Sequence, residues 1–200
     1  MGRLKTYDRD DVARKAMQSF WQHGFHASST KKLANDMGVN VFSLFAEFES
    51  KQGLFEAALE VYGRDVVTAM FQTLDKPNAG LKELRSMINA QGMMAASDQG
   101  AQGCFYCNTA TERGPEDQVS RTIFGAHIDR FQRIVESALQ NAVSEGDLSS
   151  EISCRDQSVL IITTFQGMSV LARARVDPDL ILAATRAMNE NLDRMTLLPK

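Results

Sequence analysis

The sequence predicts an all-α protein: a three-helix head carrying a helix-turn-helix, on a C-terminal helical body, about nine helices in all. Three observations carry this. Apolar residues recur at spacings of three and four along most of the chain, and no stretch alternates as a half-buried strand would. Strand-favouring pieces such as residues 159–165 lie inside longer helical patterns. Glycines, prolines and capping side chains then cut this pattern into segments of helical length.

The elements follow in order. Val12, Ala13, Ala16, Met17, Phe20 and Trp21 form the first apolar stripe, with Asp8 as N-cap and Gly24 as stop. Ser28-Ser29 caps a short helix carrying Leu33, Ala34 and Met37, which ends at Gly38. After a tight turn, Val41 to Phe48 reads as another short helix with Leu44, Phe45 and Phe48 on its faces. Ser50 caps a longer helix that turns Leu54, Phe55, Ala58, Leu59 and Tyr62 inward. Pro77 to Gly80 breaks the pattern before a helix over residues 81–96. A loop is expected at 97–103, then a short helix over 104–111 and a break at Gly114-Pro115. Long helices follow at about 117–144, 156–174 and 178–195. Domain boundaries fall at 1–50 for the head and 51–200 for a regulatory and dimerisation body.

Composition narrows the function classes. Hydrophobic residues make up 44% of 200, enough for a substantial core. No run approaches the ~18 apolar residues of a membrane span, and the N-terminal MGRLKTYDRDD lacks a leader's apolar stretch, so a cytoplasmic protein without membrane contact is expected. The net charge of −3 does not suit a general nucleic-acid coat. Residues 1–55 hold eight Lys and Arg against six Asp and Glu, a balance of +2, which leaves −5 for the rest. No phosphate-cradling glycine loop, zinc-protease helix or nucleophile triad is present, so neither an enzyme nor a cofactor is expected.

Residues 28–55, SSTKKLANDMGVNVFSLFAEFESKQGLF, are the informative stretch. Two helices of about two turns flank Gly38, where a left-handed backbone is cheap for glycine alone. In a helix-turn-helix the first helix braces the backbone and the second enters the major groove. The spacing by itself equally suits two core helices joined by a glycine turn.

The residues at those spacings decide between the two readings. Ser28-Ser29, Leu33-Ala34, Met37-Gly38-Val39, Leu44-Phe45, Phe48, Lys51 and Leu54-Phe55 stand where the tetracycline-repressor-like (TetR) family has its pattern. That pattern is two small hydroxyl residues, Ile/Leu-Ala, Ala/Met-Gly-Val, Leu-Tyr-x-x-Phe, then Lys with Leu-Phe soon after. Ala16, Phe20-Trp21 and Gly24-Phe25 resemble the family's first helix and its exit. The head thus resembles a TetR head over about fifty residues, and GCFYCNTATE (103–112) and QGMSVLARA (166–174) resemble phrases of its regulatory bodies.

The resemblance implies a repressor that binds a palindromic double-stranded DNA operator as a homodimer. Ser28, Ser29 and Thr30 would lie at the phosphate-facing start of the second helix, with Ser29 the phosphate contact, and Lys51 would supply a charged one. Val39, Asn40, Val41, Phe42 and Ser43 would face or border the groove, Asn40 and Ser43 as hydrogen-bonding readers. Arg3 and Lys5 would form a basic arm. Phe45 stands where the family usually has a phosphate-binding tyrosine. Glu47 replaces a residue that commonly does the same, and a carboxylate there repels phosphate. The short third helix has no Lys or Arg. These departures leave open a TetR-fold protein with weakened or lost DNA binding that works through protein partners.

The body is expected to do two things. The last two helices carry stripes (Val159, Ile162, Thr163, Gln166, Val170; Leu180, Leu182, Ala183, Met188, Leu192) that would pair with a second copy. Met70, Phe71, Met87, Met93, Met94, Phe105, Phe124, Phe131 and Phe165 are candidate linings for a small apolar effector, or plain core. Cys104 and Cys107, at i and i+3, are candidates for redox or electrophile sensing, or core thiols. A metal site built from them is not expected.

Overall fold

The computed structural model describes residues 7–114 and 117–196. Among these residues the chain forms nine helical rods, and the sole β-type pairing is an isolated bridge between Leu148 and Thr196. The rods are α1 (Arg9–His23), α2 (Thr30–Met37), α3 (Val41–Phe48), α4, α5 (Leu81–Ala95), α6 (Phe105–Arg113), α7 (Gln118–Ser144), α8 (Cys154–Arg173) and α9 (Pro178–Arg194). Rod α4 starts as Lys51–Tyr62, passes through a π-helical turn at Gly63–Val67 and ends at Thr68–Phe71. The all-α expectation holds.

The predicted caps form. Asp8 accepts from the Asp10 N–H, Ser29 from Lys32 and Ser50 from Gly53. Each satisfies one of the donors that a helix N-terminus leaves unpaired. The expected loop at 97–103 instead holds a 3₁₀ turn, Asp98–Gln102, capped by Ser97. Its two glycines and polar residues offered no apolar period from which to read it.

The chain divides into two compact units, one running up to Ala69 and adding Asn108–Arg121, the other comprising Met70–Cys107 and Thr122 onward. The head drawn at 1–50 therefore sits inside a larger unit that includes most of α4 and the end of α6.

In the first unit, Phe20 of α1, Leu33 of α2, Leu44 of α3 and Leu54 and Phe55 of α4 are almost fully buried. Burying one such side chain stabilises by roughly 1.5–3 kcal/mol. The Phe20 and Phe55 rings meet edge to face at 5.0 Å. The π turn is tied to α1 by charge. Arg64 donates to both carboxylate oxygens of Asp10 at 2.8 and 3.1 Å, and Arg14 to Asp65 at 2.9 Å. Hydrogen bonds from Arg64, then Arg14, hold the Asp65 carboxyl down at about 2.

In the second unit, α5 lies close against α9 because Gly92 has no side chain. A Cβ there would come within 2.1 Å of the Thr185 hydroxyl oxygen. Asn141 of α7 donates to the Pro77 and Ala79 carbonyls at 2.9 and 2.8 Å, pinning the connection before α5. The interior carries an aromatic group around His127 of α7, with Tyr106 at 5.2 Å, Phe71 at 6.1 Å and Phe131 at 6.2 Å. Phe131 also meets Phe71 at 4.9 Å and Phe165 at 5.5 Å. His127 is buried and its Nδ1 has no hydrogen-bond partner. Burial, with a smaller contribution from Arg130, pushes its pKa down to about 4.

This sets a sign for the acid response. The unfolded imidazole takes a proton near 6.5 and the folded one only near 4, so stability present at pH 7 is lost as pH falls through that window. Between pH 8 and pH 5 the loss attributable to His127 should be about 2 kcal/mol. Urea unfolding at the two pH values checks this. His127→Phe should flatten the dependence, and an equal loss in both proteins would show that other groups carry it.

Candidate functional site

The head's geometry begins at the turn. Gly38 adopts φ 71° and ψ 28°, and its N–H reaches back to the carbonyls of Ala34 and Asn35. A Cβ at Gly38 would meet nothing within 4 Å, so the requirement is the left-handed backbone and not space. The turn delivers Asn40 as N-cap of α3, its Oδ1 accepting from the Ser43 N–H at 2.7 Å.

Burial then sets the phase of α3. Leu44 and Phe48 point into the head, which turns Phe42 outward at 86% exposure, while Val41, the first residue of the helix, is 39% exposed. Asn40 is exposed, and Val39, Ser43 and Phe45 are half-buried. The Tyr7 hydroxyl donates to the Ser43 carbonyl at 3.0 Å, bracing the start of α3 from before α1. Nothing in the sequence pointed to this bond, because its partners lie 36 residues apart.

At the start of α2, Ser29, Thr30 and Lys31 are exposed, with the Ser29 oxygen occupied in the cap. Ser28 corrects an expectation. It is fully buried and its hydroxyl donates to the Gly24 carbonyl at 2.6 Å, so it faces the core and not a phosphate. In a pair of adjacent hydroxyl residues only one can cap, and the other is turned inward by the helix entry. Arg3 and Lys5 lie outside the described residues.

Lys51 is half-buried, its ammonium 4.4 Å from the centre of the Phe25 ring. Burial lowers its pKa, opposed by Glu112 and reinforced by Arg113. Glu47 is the second finding the sequence did not show. Its carboxylate lies 3.5 Å from the Arg9 guanidinium, and its side chain is only 11% exposed. Arg9 in turn lies over the Phe48 ring at 4.9 Å. The carboxylate expected to repel phosphate is thus covered by a cation from α1.

The end of α6 clasps the connection between α1 and α2. The two Glu112 carboxylate oxygens accept from the Phe25 and His26 N–H groups at 2.9 and 2.8 Å. Arg113 lies over the Phe25 ring at 3.9 Å and donates to Gln52 at 2.9 Å and Asp117 at 2.7 Å.

Of the expected effector linings, Phe71, Met87, Phe105, Phe131 and Phe165 are buried, and Met70 and Phe124 are half-buried. Met94 is corrected: it is 47% exposed, and Met93 is 69% exposed. The phase of α5, set by Leu81, Leu84 and Ile88, turns Met93 outward, whereas Met94 shares the Met87 side but stands in the last turn of the helix. Sequence reasoning missed Tyr106 and His127, whose membership in the aromatic group depends on contacts between separate helices. All three cysteines are thiols. Cys107 is buried, and burial, with a smaller effect from Cys104, pushes its pKa up to about 11. Among the described residues no three His, Cys, Asp or Glu side chains group as metal ligands, and no helix is long and apolar enough to cross a membrane.

Two family models match the chain, and both are of one family. Residues 13–58 match the family model of bacterial regulatory proteins, tetR family, and residues 80–188 match the tetracyclin repressor-like C-terminal domain. The chain is 29% identical over 174 residues to the HTH-type transcriptional repressor ComR of Escherichia coli, covering 86% of this chain and 82% of ComR. It is similar to a solved cysteine mutant of the TetR family regulator CifR complexed with 26bp operator DNA. That likeness has a TM-score of 0.82 and 25% identity over 97% of this chain and all of the other. A TetR regulator from Chloroflexus aurantiacus shares the fold, with a TM-score of 0.83, 20% identity and 96% of both chains covered.

The clasp predicts a stability effect. Glu112→Ala leaves two backbone donors without their charged acceptor and should destabilise the protein by about 1–3 kcal/mol, while Glu112→Gln, which keeps one acceptor, should lose less. Urea denaturation orders the three proteins. Equal stability of wild type and Glu112→Ala would show that the clasp contributes nothing.

Proposed function

The chain belongs to the tetR family of bacterial regulatory proteins, and on that premise we propose that it is a homodimeric repressor, released from a palindromic operator by a small apolar ligand. It is a DNA-binding transcriptional regulator. The observation that supports the finer reading is the first turn of α3, held outward behind the Gly38 turn. Ser29, Thr30 and Lys51 are the proposed phosphate-facing groups, Val39, Asn40, Val41, Phe42 and Ser43 the proposed groove-facing set, and Phe45 stands at the family's phosphate-tyrosine position. Arg3 and Lys5 remain the proposed arm. A regulator, not a catalyst, and a cytoplasmic one, fits the same premise.

The Arg9–Glu47 pair favours DNA over a protein partner as the target. An uncovered carboxylate on α3 would oppose phosphate, and Arg9 offsets it at 3.5 Å. Operator binding by the related CifR mutant supports the same choice.

Dimerisation is supported by exposed apolar side chains on the last two helices, Val159, Leu160 and Val170 on α8 and Leu180 on α9, whereas Ile162, Met188 and Leu192 of the expected stripes are buried within the subunit. Such a face suits a second copy, and paired half-sites need paired readers. For the effector, Phe71, Phe131 and Phe165, now joined by Tyr106 and His127, supply a mainly apolar interior whose polar atoms are the Tyr106 hydroxyl and the His127 ring nitrogens. Thiol modification at Cys104 or Cys107 is the second route. The Cys107 pKa of about 11 leaves little thiolate at neutral pH and so favours the ligand route.

Fluorescence anisotropy against genomic fragments at low salt tests the regulator reading. The purified protein should prefer some fragments over random DNA, and no preference would overturn it. On a preferred fragment, Arg9→Ala should bind about three- to tenfold more weakly, and adding Glu47→Gln should recover most of that loss. No recovery would mean that Arg9 acts on its own and not by covering Glu47.

A further inference from the structure

Phe42 is the most exposed large apolar side chain among the described residues, at 86%. Exposure of a lone apolar residue is ordinary on a protein surface, so its position has to carry the argument. It is the second residue of α3, on the turn that in a helix-turn-helix meets base edges, and Val41 beside it is also exposed. Leu44 and Phe48 satisfy the head's core from the opposite face, so no apolar surface of the head is left for Phe42 to cover.

Two acceptors beside it are engaged: the Asn40 oxygen caps α3 and the Ser43 carbonyl takes the Tyr7 hydroxyl. Helix α3, VFSLFAEF, has no cation to reach a guanine edge. Phe42 and Val41 therefore make the start of the helix an apolar step. In the major groove one group is apolar: the C5 methyl of thymine.

We propose that Phe42, supported by Val41, reads thymine methyl groups in each operator half-site, so that sequence preference at that position is apolar and not hydrogen-bonded. The assignment rests on the regulator reading above. It commits the exposed step to DNA; a protein partner on the same step is an outcome of the test.

The experiment uses the full-length protein. A binding site is first enriched from a pool of random duplexes. Thymines in that site are then replaced one pair at a time by deoxyuridine, symmetrically in both half-sites, which deletes the methyl and keeps the pairing edges. Anisotropy at fixed salt should show a three- to tenfold loss at one or two positions and little elsewhere. Phe42→Ala should lose a similar factor on the thymine site and be indifferent to deoxyuridine at those positions. Because Phe42 is exposed, the variant should melt like wild type, which checks that the fold is intact. Wild-type binding that ignores every deoxyuridine, or a Phe42→Ala protein that keeps the thymine preference, would overturn the assignment while leaving the regulator reading in place. A pool with no enriched site would overturn both, and would turn the apolar step towards a protein partner.

Discussion

The phase of α3 is fixed by the burial of Leu44 and Phe48, four residues apart on a helix of only eight. A two-turn helix has no stability of its own in water, so packing holds it and packing also decides which side faces out. With Leu44 wholly inside the head, Phe42 has no route inward, while Val41, on the Leu44 side, is partly exposed because it begins the helix. A slip of one residue would bury Phe45 in place of Leu44 and carry the exposed step around the helix by about 100°. The Gly38 turn fixes where α3 begins, and the core fixes how it is rotated. Every functional statement about the head follows from those two constraints.

The head is also held from a distant part of the chain. Glu112 and Arg113 close on Phe25 and His26 from the last turn of α6, whereas the first turn of α6 carries Tyr106 and Cys107 in the other compact unit. One nine-residue helix thus has its ends in different surroundings: an aromatic group with a neutral imidazole at its start, and a charged clasp at its end.

Local features were legible in the sequence wherever their causes were local. Asp8, Ser29 and Ser50 cap through bonds spanning two or three residues, and the Gly38 turn is written in one residue type. The apolar spacing placed the nine rods and most of the core. Tertiary pairings were not legible: Tyr7 with Ser43, Arg9 with Glu47, Phe25 with Glu112. These reversed the reading of Glu47 from a bare repulsive charge to a covered one. Ser28 and Met94 went the wrong way for a related reason. Residue type suited the expected role, but the rotation of the backbone at helix entry turned Ser28 inward, and Met94 stands exposed in the last turn of α5. The π turn in α4, Gly63–Val67, was not read from the sequence.

The account stands on a paired head that presents α3 to successive major grooves, and hydroxyl-radical footprinting of an enriched site measures this most directly. Two protected stretches on each strand, related by a dyad and separated by one helical turn or a whole multiple of it, are predicted. A single protected stretch without symmetry, or uniform cleavage at protein concentrations that saturate binding, would contradict it.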